Sequence, residues 1–485
     1  MEPLTETKWD AVISGTGLKH SLLALALSRS NKKILHVDQN KYYGDAEAAF
    51  SLQEVDEWVE KVGGETPEHF RNASLWKTTS ESSNESEKLS FSRAYTLTLS
   101  PQIIYTRSKL LSQLVTSKVY RQLEFQAVGN WWILAENTLN RLPNGREDIF
   151  QDKTIDNRSK RGLMKFLKFV VDYENQTELW QPHVDSSLAG FLSSQFQFPT
   201  NLQNVICALT LSLETPEATK VNWSLPRISR HLTSIGVFGP GFGAVLPKWG
   251  GGADISQVAC RAGAVGGGIY ILGTGVREST PSSEDTDGLT QVHLTNEDVV
   301  KTRHLIQPLQ TQSTNAKVVS KIIAVVSSSL TSLFKNTVEG SPLAAVSVIV
   351  FPVGTVDVEG ASQNTPIYIM AHSNETGECP PGQCVLYATM LQSERSHELL
   401  DVAVDAFLAT LEDKPSLLYK LYYEQQAEAE SSETSLDLAF NDSILDDVES
   451  MWRIVMGEEA DQAMFMRFED REGMNNDDDE IDEGY

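Results

Sequence analysis

Three residues near the start of the chain have the types and the spacing that dinucleotide binding requires. Gly15 and Gly17 form a Gly-x-Gly turn, and Asp38 follows 21 residues after the second glycine. In dinucleotide-binding folds, such glycines let the backbone approach a pyrophosphate at a helix N-terminus, and the acid binds the ribose. The pattern leaves two possibilities open: a bound flavin or nicotinamide, or a fold that is kept although the cofactor is lost.

A histidine, His20, occupies the third position of this fingerprint. That position is normally Gly or Ala, because the helix and the strand pack closely there. An imidazole is too large for this contact, so the geometry at the helix N-terminus should be altered. Lys19 and His20 could still supply positive charge near a phosphate. The residues favour the second possibility, and we expect no bound cofactor.

The remaining reactive side chains predict neither a metal site nor a catalytic centre. Four cysteines in 485 residues cannot form a disulfide scaffold. Cys207 and Cys260 lie among apolar residues and predict core positions, and Cys379 and Cys384 lie in a turn without neighbouring metal ligands. No compact Ser/His/Asp or Cys/His arrangement is present, although such groups meet in space rather than in sequence.

The elements that position the glycine turn form a βαβ unit. Residues 9–14 predict a buried parallel strand, residues 18–29 a helix, and residues 33–38 a second strand. Further along, residues 150–238 carry apolar residues at helical spacing with breaks at prolines, which predicts an all-helical insert. The expected fold class is α/β: a large domain of the FAD/NAD(P)-binding type, with a smaller helical domain inserted.

The large domain is expected to have two parts, 1–149 and 239–423. Residues 236–252 are rich in Gly and Pro and predict a loop before a helix at 254–264. Polar stretches predict surface loops or insertions at 78–88 and 278–288. Further elements are predicted as strands at 269–272, 318–326, 343–351 and 366–372, and as a helix at 397–411.

The net charge of −26 argues against a nucleic-acid partner, and it is concentrated at the C-terminal end. Residues 424–485 contain 21 acids and 3 bases, a net −18, which leaves −8 for the rest. This composition predicts a largely disordered acidic tail over 424–485, with an ordered helix at 451–456. No signal peptide or membrane-spanning run is recognised, so we expect a cytosolic protein.

Three sequence blocks carry a resemblance to a known family. They comprise residues 9–18 with 33–38 and 42–44, then 99–111 with 123–132, and finally 261–272. In this order, residues 9–410 resemble the Rab GDP-dissociation inhibitor and Rab escort protein superfamily, and the second block resembles the escort branch. The acidic tail is outside the resemblance.

The resemblance implies a non-catalytic protein with a flavoenzyme architecture and no flavin. Its partners would be GDP-bound Rab GTPases, the Rab geranylgeranyltransferase heterodimer and the geranylgeranyl lipid on Rab, with transient delivery to membranes. The helical insert would shelter the lipid, and the segment around 108–125 would hold the C-terminal tail of the Rab. Two alternatives stay open, a Rab GDP-dissociation inhibitor and a flavin-dependent oxidoreductase.

Five positions match the Rab-binding platform of the family. The key tyrosine matches Tyr43, the platform acid matches Asp254, where the family more often has Glu, and the arginine seven residues on matches Arg261. Ile269 and Ile271 flank the last tyrosine, where the dissociation inhibitors have Thr and Met. The alternatives are a Tyr43 packed in the core and two isoleucines that are ordinary strand residues.

Overall fold

The structure is a computed structural model that describes residues 4–64, 69–78, 87–143, 156–281, 288–308, 316–335, 340–427 and 436–468. Most of both predicted polar loops, 78–88 and 278–288, lies outside the described residues. The last part of the predicted acidic tail, residues 469–485, also lies outside the described residues.

A six-stranded sheet contains the glycine turn. Its strand order is β10-β2-β1-β13-β12-β11; the first four strands are parallel, and β12 and β11 are antiparallel to their neighbours. The strands are β1 (Lys8–Ser14), β2 (Ile34–Asp38), β10 (Ile269–Leu272), β11 (Val276–Pro281), β12 (Thr290–Leu294) and β13 (Val299–Ile306). Helix α1 (Leu18–Arg29) connects β1 to β2, so the predicted βαβ unit is confirmed.

A second, ten-stranded sheet forms the other half of the large domain, in the order β4-β20-β14-β19-β18-β15-β7-β9-β6 with β8 beside β7. Its strands are β4 (Phe70–Lys77), β6 (Ile104–Tyr105), β7 (Phe125–Ala135), β8 (Thr138–Arg141), β9 (Ala244–Pro247), β14 (Val318–Val326), β15 (Val346–Phe351), β18 (Ile367–Ser373), β19 (Cys384–Leu391) and β20 (Leu417–Gln426). Two short pairs complete the strands: β3 (Ala49–Phe50) with β5 (Leu97–Thr98), and β16 (Asp357–Val358) with β17 (Ala361–Ser362). The central strands are buried on both faces, which explains their Val- and Ile-rich sequences.

Five helices follow one another in the predicted insert. They are α4 (Asn157–Val171), α5 (Thr177–Trp180), α6 (Leu188–Phe191), α7 (Thr200–Ala208) and α8 (Val221–Ser234), and a π-helical turn (Leu192–Phe196) continues α6. Their shared core is aromatic, with Phe166 and Phe191 fully buried. The helical character of the segment is confirmed, and its boundaries at 150 and 238 stay predictions.

The helices of the large domain pack on the two sheets. They are α1, α2 (Leu52–Gly64), α3 (Lys109–Thr116), α9 (Gly252–Val265), α10 (Ser396–Ala409) and α11 (Ser443–Met456). Helix α9 lies against α1 on one face of the six-stranded sheet, and α10 covers β14 and β19. No helix in the described ranges has both the length and the apolarity that a bilayer span requires.

The prediction of a largely disordered tail over 424–485 is wrong for the part that the structure describes. Residues 424–426 complete strand β20, and residues 436–468 pack against the large domain. Trp452 on α11 is fully buried, and its Nε1 donates a hydrogen bond to Ser30 Oγ at 3.1 Å. The predicted helix at 451–456 is confirmed and begins earlier, at Ser443.

Ion pairs explain why an acidic segment packs on this surface. Asp442 pairs with Arg230 at 2.7 Å, and Asp437 pairs with Arg227 at 2.9 Å. Both arginines belong to α8, so the C-terminal segment connects the helical insert to the large domain. The net charge of the segment led to a wrong prediction of disorder, because several of its acids form ion pairs with Arg and Lys residues elsewhere in the chain.

Candidate protein-binding platform

The carboxylate of Asp38 is bound by the chain's own backbone. Asp38 is buried, and its Oδ2 accepts hydrogen bonds from the amide and the hydroxyl of Thr16, both at 2.7 Å. Its Oδ1 accepts a third hydrogen bond, from the amide of Asn40 at 2.7 Å. The acid at the ribose-binding position therefore orders the loop that follows β2 and has little capacity left for a sugar hydroxyl.

Two acids of the same chain lie at the N-terminus of α1, where a pyrophosphate would bind. Glu47 Oε2 accepts a hydrogen bond from the amide of Leu18 at 3.5 Å. A Cβ atom on Gly17 would lie 3.6 Å from this Glu47 oxygen and 3.6 Å from Cβ of Asp45. A bound pyrophosphate would have to share this space with two carboxylates, so the residues present do not fit a dinucleotide.

Neither Lys19 nor His20 offers an unpaired positive charge beside the glycine turn. Burial lowers the pKa of His20 to about 3, with a further contribution from His36, so the imidazole is neutral at physiological pH. Lys19 forms an ion pair with Asp447 of α11 at 3.0 Å. Neither side chain is placed to neutralise a phosphate.

The loop after β2 brings Tyr43 against helix α9. The amide of Gly44 donates to the carbonyl and the hydroxyl oxygen of Thr16, both at 3.2 Å, and Gly44 adopts φ +101°. A Cβ atom at Gly44 would lie 3.1 Å from Cβ of Ala253, so the loop contacts α9 directly. Burial and the neighbouring Cys260 raise the pKa of the partly exposed Tyr43, and Arg261 opposes the shift. Tyr43 is therefore close to Cys260 and Arg261, two side chains of α9.

Asp254 and Arg261 lie two turns apart on α9. Asp254 belongs to the first turn, where an acid suits the helix dipole. Burial nevertheless raises its pKa to about 6, Glu124 adds to the shift, and Arg261 opposes it. The Asp254 side chain forms no hydrogen bond or ion pair with another described residue. Arg261 is exposed. Tyr43 and Asp254 are thus both close enough to Arg261 for its charge to act on their pKa values.

Ile269 and Ile271 lie on strand β10, at the edge of the six-stranded sheet. Both side chains pack partly against a core that includes Val37, on the face of the six-stranded sheet opposite to α1 and α9. Tyr270 between them points to the face that α1 and α9 cover, and its ring centroid lies 5.3 Å from that of His36. Strand β10 is an edge strand, so the isoleucines are half-buried at the sheet edge. Burial raises the pKa of Tyr270 and Tyr43 adds to the shift, so the strand that carries the two isoleucines is close to Tyr43, and their membership of the platform stays a prediction.

Sequence reasoning missed three residues beside this surface. Lys248 pairs with Glu124 at 3.2 Å, and its ammonium lies 4.6 Å from the ring centroid of Trp249. Trp249 is 53% exposed and has φ +67°. The only signal in the sequence is a tryptophan within residues 236–252, a Gly-rich stretch whose composition predicts a loop.

The cysteines and other possible metal ligands offer no second site. All four cysteines are free and buried, and burial raises the pKa of Cys207 and Cys260 to about 12. Their thiols are therefore neutral and unreactive at neutral pH. Within the described part of the chain, no three His, Cys, Asp or Glu side chains are grouped to hold a metal ion.

A family model described as GDP dissociation inhibitor matches residues 5–466. The chain belongs to the GDP dissociation inhibitor family. The match extends beyond 9–410, the range of the resemblance, and includes α11. Membership of the family thus covers most of the segment that composition assigned to a separate tail.

Two curated members of the family illustrate the relationship. The Rab proteins geranylgeranyltransferase component A of Saccharomyces cerevisiae is 32% identical over 425 residues, which cover 85% of this chain and 66% of the relative. The protein of the same name from Candida albicans is 29% identical over 403 residues, which cover 81% of this chain and 61% of the relative. The matches thus span less than two thirds of the length of these relatives.

Solved structures agree on the fold. A Rab GDI from Plasmodium falciparum superimposes with a TM-score of 0.65 at 17% identity, covering 93% of this chain and 98% of that chain. A putrescine oxidase superimposes with a TM-score of 0.53 at 12% identity, covering 93% of this chain and all (100%) of the oxidase. The predicted α/β class, with the architecture of the GDP dissociation inhibitor family, is confirmed.

Proposed function

We propose that this chain is a Rab escort protein. It binds newly synthesised Rab GTPases in the GDP-bound state and presents them to the Rab geranylgeranyltransferase heterodimer. It then shelters the attached geranylgeranyl groups and delivers the Rab from the cytosol to membranes. One observation supports the proposal: Tyr43 and Asp254, two positions that match the Rab-binding platform, both lie near a third, Arg261, in a chain of the GDP dissociation inhibitor family.

The protein acts as an accessory component rather than as an enzyme, and it uses no cofactor. The carboxylate of Glu47 at the N-terminus of α1, the backbone-bound Asp38 and the neutral His20 support this part of the proposal. Each removes one of the interactions by which a dinucleotide is held. The same turn then has a structural role, since it anchors the loop that carries Tyr43.

Sheltering the lipid requires an apolar surface that water does not reach. A geranylgeranyl group has about twenty carbons, and each buried CH₂ contributes about 0.8 kcal/mol. The helices of the insert are rich in apolar residues, many of which form its core. We place the lipid in the helical insert and name no contact residue.

The segment around 108–125 is the proposed binding region for the C-terminal tail of the Rab. It contains α3 and the turn that follows it, and two of its apolar side chains are exposed, Val115 at 54% and Tyr120 at 39%. Val115 lies on α3 and Tyr120 in the 3-10 turn that follows it, and exposed apolar patches are typical of binding surfaces. They support the assignment that the resemblance provides.

A binding measurement and a rate measurement test the proposal. The chain should bind unprenylated Rab loaded with GDP more tightly than the same Rab loaded with a GTP analogue, by titration calorimetry. It should also raise the rate at which the transferase prenylates that Rab. A chain that extracts prenylated Rab from membranes but does not support prenylation is a GDP-dissociation inhibitor, which is the second candidate that the family membership allows.

A further inference from the structure

Trp249 is an exposed aromatic residue that the fold holds in an unfavourable backbone conformation. It adopts φ +67°, a region that bulky side chains rarely occupy. Its amide donates to the carbonyl of Thr376 at 3.0 Å, and its indole lies on Gly377 so closely that a Cβ there would clash. Backbone strain of this kind persists only where the surroundings impose it, and it is concentrated at functional sites.

The loop around Trp249 adjoins the platform. A Cβ atom on Gly250 would lie 2.9 Å from Cβ of Ala49, and one on Gly252 would lie 3.1 Å from Cβ of Glu47. Both contacts are with the short segment that follows Tyr43 in the sequence. Helix α9, with Asp254 in its first turn, begins three residues after Trp249.

The charges beside the indole favour one kind of partner surface. Asp254 is half-buried, and its carboxylate has no ion-pair or hydrogen-bond partner among the described residues, while Glu124 is 67% exposed although Lys248 contacts it. Glu124 acts on the pKa of Asp254 and pairs with Lys248, which lies against the indole, so a cation brought by the partner would find an unsatisfied acid in the neighbourhood of an exposed aromatic ring. Aromatic anchors of this kind, surrounded by polar groups, are typical of the energetic centres of protein interfaces.

We propose that Trp249 is the aromatic anchor of the platform: its indole enters an apolar depression on the bound GTPase, and a lysine or arginine beside that depression pairs with Asp254. The inference rests on the proposed function, because it names the residue that dominates binding of that same partner. It assigns Trp249 a part in recognition, which neither the family match nor the sequence motifs provide.

The substitution Trp249→Ala tests the anchor, with calorimetric affinity for GDP-loaded, unprenylated Rab as the readout. We expect a loss of about 30-fold or more, as for other interface hot spots, and a loss of less than about fivefold for Trp249→Phe, which keeps an aromatic ring. Trp76→Ala is the matched control. Trp76 is 45% exposed on β4, an edge strand of the ten-stranded sheet, whereas β9, which leads into the Trp249 loop, lies near the opposite edge. This control should bind like the wild type.

Failure of the inference is distinct from failure of the proposed function. If the wild type binds the Rab and Trp249→Ala binds it equally well, Trp249 is not an anchor and the escort proposal is unaffected. The inference is likewise overturned if Trp249→Phe, folded by circular dichroism, loses as much affinity as Trp249→Ala loses in the same titration. If the wild type itself binds no Rab, both proposals fail.

Discussion

The carboxylate of Glu47 accepts a hydrogen bond from the backbone amide of Leu18, at the N-terminus of the helix that follows the glycine turn. In a dinucleotide-binding fold, this is where the pyrophosphate accepts its hydrogen bonds. One residue of the chain thus takes the position of the cofactor's most highly charged group. The fold has the architecture of a putrescine oxidase, and this contact gives the glycine turn a structural role.

Replacing Glu47 by Gln tests whether this carboxylate stabilises the helix. An acid at a helix N-terminus contributes about 0.3–1 kcal/mol, so the free energy of unfolding should fall by that amount. Glu60→Gln, at an exposed position of α2, is the control and should change it by less. The purified wild-type protein should be colourless, and it should be colourless again after incubation with flavin and removal of the unbound flavin by desalting. A flavin absorbance band that copurifies with it would contradict the absence of a cofactor.

The platform residues should matter for Rab binding individually. Tyr43→Ala and Arg261→Ala should each weaken binding of GDP-loaded Rab by about 1–3 kcal/mol, because both side chains belong to the proposed platform. Arg277→Ala removes an exposed arginine from the edge strand β11 and should leave the affinity unchanged. Unchanged affinity in both platform variants, with their thermal unfolding intact, would rule out this assignment.

The raised pKa of Asp254 makes stability depend on pH in a defined direction. Between about pH 4 and pH 6 the folded state binds a proton that the unfolded state has already released, so this group's contribution to stability falls as pH rises. Asp254→Asn should therefore be more stable than wild type at pH 7, by about 1 kcal/mol after allowing for solvent screening, and equally stable near pH 3.

Urea unfolding at the two pH values measures this difference. Asp185→Asn, which removes an exposed carboxylate from the helical insert, is the control and should show little difference at either pH. An Asp254→Asn protein that is less stable than wild type at pH 7 would mean that the carboxylate has a stabilising partner.

The C-terminal helix α11 should be part of the cooperative fold. Trp452→Ala removes a fully buried indole that packs on α1, and it should cost about 3–5 kcal/mol of unfolding free energy. Ile454→Ala on the same helix changes a side chain that is 67% exposed and should cost less than about 0.5 kcal/mol. Equal, small effects of both changes in urea unfolding would mean that α11 does not contribute to stability.

Much of the fold could be predicted because its signals are local. The βαβ unit followed from apolar runs around Gly15 and Gly17, and strand β14 at Val318–Val326 was predicted to the residue by its Val- and Ile-rich pattern. The C-terminal segment was mispredicted because its order depends on distant cations such as Arg230, which no local composition reveals.

The candidate site was predictable only in part. The resemblance placed Tyr43 and Arg261 on a common surface, and the structure brings them together through the contact of Gly44 with α9. Sequence spacing could not show that Ile269 and Ile271 face the other side of the sheet, because that depends on the register of β10 against β2. It also could not show the exposure of Trp249, because that depends on the turn at Thr376 and Gly377, on which the indole lies.

The most direct test of the escort proposal is reconstitution of Rab prenylation. Purified Rab geranylgeranyltransferase, geranylgeranyl diphosphate and unprenylated GDP-loaded Rab are incubated with the wild-type chain, with Arg261→Ala, or with neither. We predict rapid lipid incorporation with the wild type, slower incorporation with limiting amounts of the Arg261→Ala variant, and almost none without the chain. Prenylation that is equally slow with and without the wild-type chain would contradict the escort proposal.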